Sequence, residues 1–460
     1  MRADQTPEAA ARIKNDGGSV LRITTISAAL LGLTALAACE RPEAVLTGER
    51  LGAREILENG GAEEFTPANR AQAISLGAAA NGAATQSPVS PFARTNHAAL
   101  SLPLQPVFAT DIGKGDTRRN RLNVDPVSDG SRIYTMDSAH TVSAVSTSGQ
   151  VIWRKSMVAP RDQASQAQGG GLAVEGGRLY VTSGFGTLTA LDAATGAEVW
   201  SQKLGGTATG APTVRGGLAY VTSSDSTGWA IETATGRIRW RIDYPEDYNN
   251  VAGAPAPATD GEMVVFAFGS GALQAAFKQG GLRRWTADVA GSRNGKALAT
   301  VTDITGDPLI SNGVVYAGNH SGRVVALSLS GGERLWTARM GALDPVWPAG
   351  DSVFLVSDLN QLVRLDARTG AQIWAVDLPG YKPVRTPQKR RDSAFVNHGP
   401  ILAGGRLIVA SSDGLIRAFD PASGQLVGTT AIAGGATTRP IVVNGTLYVI
   451  SSEGVLHAYR

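Results

Sequence analysis

A glycine followed four positions later by a tryptophan recurs six times along the chain in one register, and this repeat limits the possible folds more than any other feature. The clearest copy runs from Ala190 to Trp200 and reads Ala-Leu-Asp-Ala-Ala-Thr-Gly-Ala-Glu-Val-Trp. A seventh copy keeps the turn but has Gly428 in the tryptophan position. The six tryptophans that end the other copies are Trp153, Trp200, Trp240, Trp285, Trp336 and Trp374.

Each repeat unit contains four short apolar stretches separated by turns rich in glycine and asparagine. In the second unit these are Leu172–Val174, Arg178–Thr182, Leu188–Asp192 and Glu198–Lys203. Short stretches bounded by turn residues predict antiparallel hairpins. Four strands per unit of roughly 40–50 residues are typical of the blades of a β-propeller. The predicted fold class is therefore all-β.

The last unit stops after its third strand, because the sequence ends at Arg460. A blade left open there would expose unpaired backbone N–H and C=O groups. The stretch Pro106–Gly113 precedes the first unit and has Phe108 placed like a repeat tryptophan. We predict that this stretch supplies the missing strand. The result is an eight-bladed propeller of four-stranded antiparallel blades, in which an N-terminal strand closes the last blade.

The repeat tryptophans and Phe108 are predicted to dock each blade on the next. A large ring between two sheets buries about 150–250 Å² and needs no ligand to explain it. The alternative is a ladder of rings that stacks a ligand. Trp229 and Trp347 stand outside the repeat register, and Trp347, close to Asp344, is expected near the central channel.

The N-terminal segment has the pattern of a secretory signal. Residues 23–38 form an uncharged and mostly apolar run after Arg22, which is short for a membrane-spanning helix. The run ends in Leu36-Ala37-Ala38-Cys39, which resembles the bacterial lipobox. That resemblance implies that residues 1–38 are a signal peptide and that Cys39 is acylated. The alternative is an ordinary signal with an incidental cysteine.

Residues 39–100 lack the strand repeat and are rich in Gly, Ala, Asn and Gln. They predict a lipid-anchored, partly disordered tether, with the propeller at residues 101–460. Two or more acyl chains would hold the protein stably on a membrane. Position 40 is glutamate, and the aspartate that resembles an inner-membrane retention signal is absent there, which favours the outer membrane.

Composition excludes several classes of function. The 42 basic and 39 acidic residues nearly balance, so no nucleic-acid-binding face is predicted. A single cysteine excludes a disulfide within the chain, and the five histidines form no close pair, so no metal site is predicted. One basic segment, Lys389–Arg391, has two interpretations: a solvated loop, or a contact with an acidic partner or anionic lipid.

The Leu-Asp-Ala-x-Thr-Gly-x-x-x-Trp repeat resembles the tryptophan-docking repeat of the pyrroloquinoline-quinone (PQQ) dehydrogenases, an eight-bladed family. With the lipobox and the terminal closure, residues 105–460 look more like BamB, the propeller lipoprotein family of the outer-membrane β-barrel assembly (BAM) machine. This resemblance implies a non-enzymatic scaffold without a cofactor. It also implies a monomer within a hetero-complex, lipid-anchored to the outer membrane on the periplasmic side.

BamB-like proteins bind the periplasmic POTRA domains of the barrel insertase, BamA, through loops on one face. The resemblance places these loops at residues 244–253 and 290–307. Loop contacts and β-augmentation are the expected modes of binding. The family's acidic Asp-x-Asp is here Asp303-Ile304-Thr305, and a leucine and arginine of its other loop are replaced. The candidate partner-binding residues are Tyr248, Asn249, Asn250, Val251, Asp303 and Thr305.

Two other functions are compatible with a propeller of this kind. A PQQ-dependent periplasmic dehydrogenase would resemble the quinoprotein alcohol dehydrogenases, which have a vicinal cysteine pair over the quinone. This chain has only Cys39. A periplasmic propeller that binds polysaccharide or peptidoglycan is not excluded by the sequence.

Overall fold

Eight four-stranded antiparallel sheets make up the computed structural model, which describes residues 69–87, 96–245, 255–289, 291, 303–383 and 394–460. Seven sheets are consecutive meanders of the chain. In the eighth, three C-terminal strands pair with the first strand of the chain, in the order β1-β32-β31-β30. The predicted eight-bladed propeller, closed by an N-terminal strand, is therefore confirmed.

Blades 1 to 4 follow the closing strand, and a short 3-10 helix at Ala164–Gln166 lies between the first two. The strands are β1 (Pro106–Asp111), β2 (Val127–Ser128), β3 (Arg132–Met136), β4 (Thr141–Ser146), β5 (Val151–Ser156), β6 (Gly170–Glu175), β7 (Arg178–Ser183), β8 (Thr187–Asp192), β9 (Glu198–Lys203), β10 (Thr213–Arg215), β11 (Leu218–Ser223), β12 (Thr227–Glu232), β13 (Ile238–Asp243), β14 (Ala258–Thr259), β15 (Met263–Ala267), β16 (Ala272–Phe277) and β17 (Arg283–Asp288).

Blades 5 to 8 continue in the same way, and blade 8 ends at the C-terminus. Their strands are β18 (Leu309–Ser311), β19 (Val314–Gly318), β20 (Val324–Ser328), β21 (Arg334–Ala338), β22 (Trp347–Ala349), β23 (Ser352–Val356), β24 (Gln361–Asp366), β25 (Gln372–Asp377), β26 (Asn397–Ala403), β27 (Arg406–Ser411), β28 (Leu415–Phe419), β29 (Leu426–Ala431), β30 (Ile441–Val443), β31 (Thr446–Ile450) and β32 (Val455–Tyr459).

The Thr-Gly turn of the repeat is built by its aspartate. In blade 2, the Oδ1 atom of Asp192 accepts hydrogen bonds from the backbone N–H of Thr195 at 2.8 Å and from its hydroxyl at 2.8 Å. Those bonds hold the pKa of Asp192 below its usual value. Gly196 then closes the turn with a φ of +72°, a conformation that favours glycine. The turn therefore depends on the residue types that define the repeat.

Each docking ring lies on the turn glycine of the next blade. A Cβ atom added to Gly196 would lie 2.7 Å from the indole of Trp153, so only glycine allows this approach. The indole N–H of Trp200 donates to the carbonyl of Thr233 in the next blade at 2.9 Å. The same ring-on-glycine contact joins Phe108–Gly149, Trp153–Gly196, Trp200–Gly236, Trp240–Gly281, Trp285–Gly332, Trp336–Gly370 and Trp374–Gly424.

The two tryptophans outside the register are core residues. Trp229 lies in β12, is buried, and donates its indole N–H to the hydroxyl of Ser223 at 2.8 Å. Trp347 begins β22, the innermost strand of blade 6, and is also buried. Each ring packs in a core cluster shared by neighbouring blades, including blades 2 and 3 for Trp229 and blades 6 and 7 for Trp347, but neither lies on a turn glycine as the repeat tryptophans do.

The meander gives the propeller two different faces. The turns between the first and second strands and between the third and fourth strands of a blade lie on one face, here called the turn face. The turns between second and third strands, and the connections from one blade to the next, lie on the opposite loop face. Of the two predicted partner-binding segments, the described residues 244–245 and 303–307 lie in connections between blades and therefore on the loop face.

Replacing Gly196 by alanine is expected to destabilise the protein more than replacing Gly177. Both glycines have a positive φ, +72° and +76°, but a Cβ atom on Gly177 meets nothing within 4 Å. Gly177→Ala should cost about 1 kcal/mol from backbone strain. Gly196→Ala should cost about 1–3 kcal/mol more, because the methyl group displaces the indole of Trp153. Equal losses in chemical unfolding would contradict the docking role.

Candidate functional site

Residues 69–87, here called the strap, lie across the turn face. The strap begins on the outermost strand of blade 6, where Asn69 exchanges two side-chain hydrogen bonds with the backbone of Ala375, at 2.8 and 2.9 Å. Further along, the carbonyl of Gly82 accepts from the N–H of Asn444 in the first turn of blade 8. This part of the segment predicted as a tether is therefore held against the propeller.

The last residues of the strap, from Ala84 to Ser87, lie in the central channel. The carbonyl of Ala84 accepts from the N–H of Ser128 at 2.6 Å, and that of Thr85 accepts from Val174 at 2.7 Å. Both partners lie in innermost strands, those of blades 1 and 2. The hydroxyl of Ser87 then donates to Asp125 Oδ2 at 2.5 Å. The strap therefore occupies the channel from the side of the turn face.

Arg364 holds the strap to blade 6. Its side chain is fully buried, and its guanidinium donates to the strap carbonyls of Gln72 and Ala73 at 2.5 and 3.4 Å. Its Nε atom donates to the hydroxyl of Ser352 at 2.8 Å. Burial lowers the pKa of Arg364, while the nearby carboxylate of Asp351 opposes that shift.

The position of Arg364 is unusual within the repeat. It pairs across the sheet with the docking residue Trp374. In the other seven blades the residue that pairs with the docking position is alanine: Ala144, Ala190, Ala230, Ala275, Ala326, Ala418 and Ala458. An arginine at the position where the other seven blades have alanine is visible in the sequence, although the repeat motif does not mark it as functional.

A cluster of charged side chains lies in the channel. Arg439, whose side chain is 16% exposed, donates from Nε to Asp125 Oδ2 at 2.5 Å and from a terminal nitrogen to Asp307 Oδ2 at 3.3 Å. The other oxygen of Asp307 accepts from the N–H of Ala256 at 2.7 Å. These groups line a cavity of about 200 Å³. No sequence motif marked Arg439 or Asp125.

The charged groups in this cluster shift one another's pKa values, because they are largely buried. Burial disfavours the charged form of Arg439, but the carboxylates of Asp125, Asp307 and Asp344 outweigh it and raise the pKa of Arg439. Burial also raises the pKa of Asp344, against the opposing effects of Arg439 and His398. Asp344 accepts from the N–H of Gly399 at 2.8 Å, and His398 Nδ1 lies 4.0 Å from it.

Only part of the predicted contact set falls within the described residues. Thr305 lines the same cavity and donates its hydroxyl to the carbonyl of Ala342 at 3.2 Å. Asp303 is 1% exposed, so its side chain faces the interior. The other predicted residues lie outside the described residues: Cys39, Tyr248, Asn249, Asn250, Val251 and the basic segment Lys389–Arg391.

Two further properties concern membranes and metals. In the part of the chain that the structure describes, no helix is both long and apolar enough to cross a membrane. Among these same residues, no three histidine, cysteine, aspartate or glutamate side chains are grouped so as to hold a metal ion.

Arg364→Ala is expected to release the strap from blade 6. Alanine is the residue of the other blades, so the sheet should tolerate it, while the strap loses its charged hydrogen-bond donor. Amides in residues 70–76 should exchange with solvent about a hundredfold faster in hydrogen-exchange mass spectrometry. Arg154→Ala is the matched control, because Arg154 is half-exposed and its partner within the described part of the chain is Asp111 of the closing strand β1. Unchanged exchange in Arg364→Ala would contradict the role.

Asp344→Asn is expected to flatten the dependence of stability on pH. The folded protein raises the pKa of this carboxyl above its ordinary value of 3.8, so it favours the protonated form. Stability from this group is complete below that value and is lost as the pH rises through the raised pKa. The amide keeps the acceptor for Gly399 but does not titrate. The wild type should therefore lose stability relative to the variant as the pH rises, in denaturant unfolding; parallel curves would exclude this.

Comparison with known proteins supports the resemblance seen in the sequence. A family model described as "Outer membrane protein assembly factor BamB" matches residues 138–376 and 360–460. The proteins of that name from Salmonella typhimurium and Escherichia coli K12 are 28% and 27% identical to this chain. Each alignment covers 76% of this chain, and 88% and 87% of the relative.

Solved structures share the fold. The crystal structure of BamB from Moraxella catarrhalis superposes with a TM-score of 0.61 at 19% identity, over 78% of this chain and 97% of that one. Quinohemoprotein alcohol dehydrogenase from Comamonas testosteroni gives 0.60 at 16% identity, over 82% and 80%. These likenesses show the propeller and do not separate the two families. Since the family model covers most of the propeller, the chain belongs to the family of the outer membrane protein assembly factor BamB.

Proposed function

We propose that this chain is a non-enzymatic scaffold subunit of the BAM complex, which binds the POTRA domains of a BamA-like barrel insertase through its loop face. The observation that carries the proposal is family membership over residues 138–460. Relatives that align along most of their own length are named outer membrane protein assembly factors. Scaffolding needs a rigid body with one free surface, and the ring of docked blades supplies such a body.

The strap favours the loop face as the binding surface. It covers part of the turn face and enters the channel, where Ser87 contacts Asp125, so a partner that bound over it would have to displace it. The connections between blades 3 and 4 and between blades 4 and 5 lie at the other side. They hold the residues that the family resemblance marks, 244–253 and 290–307.

The candidate residues have different roles in this proposal. Tyr248 is the anchor, because an aromatic side chain at the centre of an interface often carries much of the binding energy. Thr305 is partly exposed at the rim of the channel cavity. Asp303 is buried and acts by holding the loop in shape.

The lipid anchor at Cys39 is proposed from the sequence, and it is compatible with the position of the strap. Acylated Cys39 would hold the protein to the periplasmic side of the outer membrane, with residues 1–38 removed as the signal peptide. The strap is bound to the wall of blade 6 from Asn69 onwards. Residues 40–68 can span at most about 100 Å when fully extended, which lets the propeller reach a partner well away from the lipid surface.

The dehydrogenase alternative is not favoured. The fold likeness to quinohemoprotein alcohol dehydrogenase concerns the propeller alone. The vicinal cysteine pair that those enzymes are expected to have cannot form in a chain with one cysteine. If the chain does not bind POTRA domains, a propeller that binds polysaccharide is the remaining alternative.

Titration of the full chain carrying Cys39→Ser against the POTRA domains of the same organism's insertase tests the proposal. We expect saturable binding with a dissociation constant of about micromolar or tighter. Tyr248→Ala should weaken it by about tenfold or more, through loss of an aromatic anchor.

Leu282→Ala is the control for the face. Leu282 lies in the turn before β17, on the turn face, and is 71% exposed. Its truncation should leave POTRA binding unchanged. Weakening by Leu282→Ala but not by Tyr248→Ala would overturn the choice of face, and no binding at high concentration would overturn the proposed function.

A further inference from the structure

The junction between blades 7 and 8 lacks both halves of the docking contact. Gly428 stands in the tryptophan position of blade 7 and pairs with Ala418, as the docking tryptophans pair with their alanines. Blade 8 has no turn between its third and fourth strands, because β32 ends at Tyr459 and β1 comes from the other end of the chain. An indole at position 428 would therefore find no turn glycine to lie on.

At this junction the space beside Gly428 is an apolar cavity of about 320 Å³, which lies next to β29, the outermost strand of blade 7. A Cβ atom on Gly428 would meet only the Cβ of Ala418, at 4.0 Å. Leu104 fills the inner part and is 6% exposed, while Leu102 at the rim is 37% exposed. Ile408, Ile416 and Val427 complete the apolar lining.

The outer edge of β29, beside this cavity, lacks charged residues. Sheet edges in natural proteins are usually protected by charged side chains, which oppose pairing with another strand. Among the eight outermost strands, all within the described residues, β29 alone has no charged residue and reads Leu-Val-Gly-Thr-Thr-Ala. Its Leu426 and Val427 are 52% and 49% exposed.

We infer that this junction binds an extended segment of another protein, which pairs with the edge of β29 and inserts an aromatic side chain into the cavity. A residue directly opposite Gly428 on an added strand would lie about 5 Å away on the same side of the sheet, facing the cavity. Backbone hydrogen bonds would supply affinity, and the pocket would supply specificity, as in other cases of strand addition.

The other junctions between blades indicate which kind of side chain fits this cavity. At six of them the space between neighbouring blades holds an indole, and its N–H donates to a backbone carbonyl of the next blade. Among the described residues that line the cavity, Arg406 alone is charged, and it is paired with Asp420 at 3.3 Å. A charged segment would find no partner there, so the segment that fits is uncharged and aromatic. This site lies beside the outermost strand of blade 7 and not on the loop face. The inference therefore goes beyond the proposed function, and either can be wrong while the other holds.

A labelled peptide with the sequence of Ala371–Val376, Ala-Gln-Ile-Trp-Ala-Val, is a suitable probe, because it is uncharged and already forms an outer strand around a docking tryptophan. Fluorescence anisotropy with the full chain carrying Cys39→Ser should show saturable binding. The same peptide with glycine in place of tryptophan should bind about tenfold more weakly.

Two variants test the site in different ways. Gly428→Trp fills the cavity from within, and Thr429→Lys places a charge on the edge of β29. Both should weaken peptide binding by about tenfold or more. Thr286→Lys is the matched control, since Thr286 follows Trp285 on β17 as Thr429 follows Gly428 on β29, and both are exposed. No binding of the tryptophan peptide, binding unaffected by the two variants, or equal loss in Thr286→Lys would overturn the inference.

Discussion

The packing of an aromatic ring on a left-handed glycine of the next blade is the contact on which the rest of this structure depends. It joins seven neighbouring pairs of blades, from Phe108 on Gly149 to Trp374 on Gly424. The glycine serves two purposes at once, since it closes the turn between the third and fourth strands with a positive φ and leaves room for the ring. One short motif therefore specifies both the turn within a blade and the contact between blades.

Closure of the ring explains the exception at the eighth junction. Pairing of β1 with β32 joins the two ends of the folded body and removes an open sheet edge. The same closure leaves blade 8 without a turn after its third strand, so a tryptophan at position 428 would have no partner. Glycine stands there instead, and Leu104 fills only part of the space. The apolar cavity beside β29 is thus a consequence of how the propeller closes.

The strap and the channel cluster make the two faces of the propeller unequal. Arg364 holds the strap with charged hydrogen bonds to backbone carbonyls, and Ser87 of the strap donates to Asp125. Asp125 also pairs with Arg439, which in turn reaches Asp307 on the connection that follows Thr305. The strap on the turn face therefore contacts, through Ser87, the same Asp125 that pairs with Arg439 in the channel.

The sequence by itself determined the fold class, the number of blades and the strand that closes the ring, because spacing and turn residues repeat locally and are visible without coordinates. Arg364 at a position where the other blades have alanine was also visible in the sequence. Its contact with the strap was not, because Gln72 of the strap lies 292 positions away in the chain. Only the tertiary structure brought Arg439 to Asp125 and Asp307, and only it showed that Asp303 is buried. Such contacts join residues from different blades that carry no shared motif, so they follow from the closed ring and not from any local pattern.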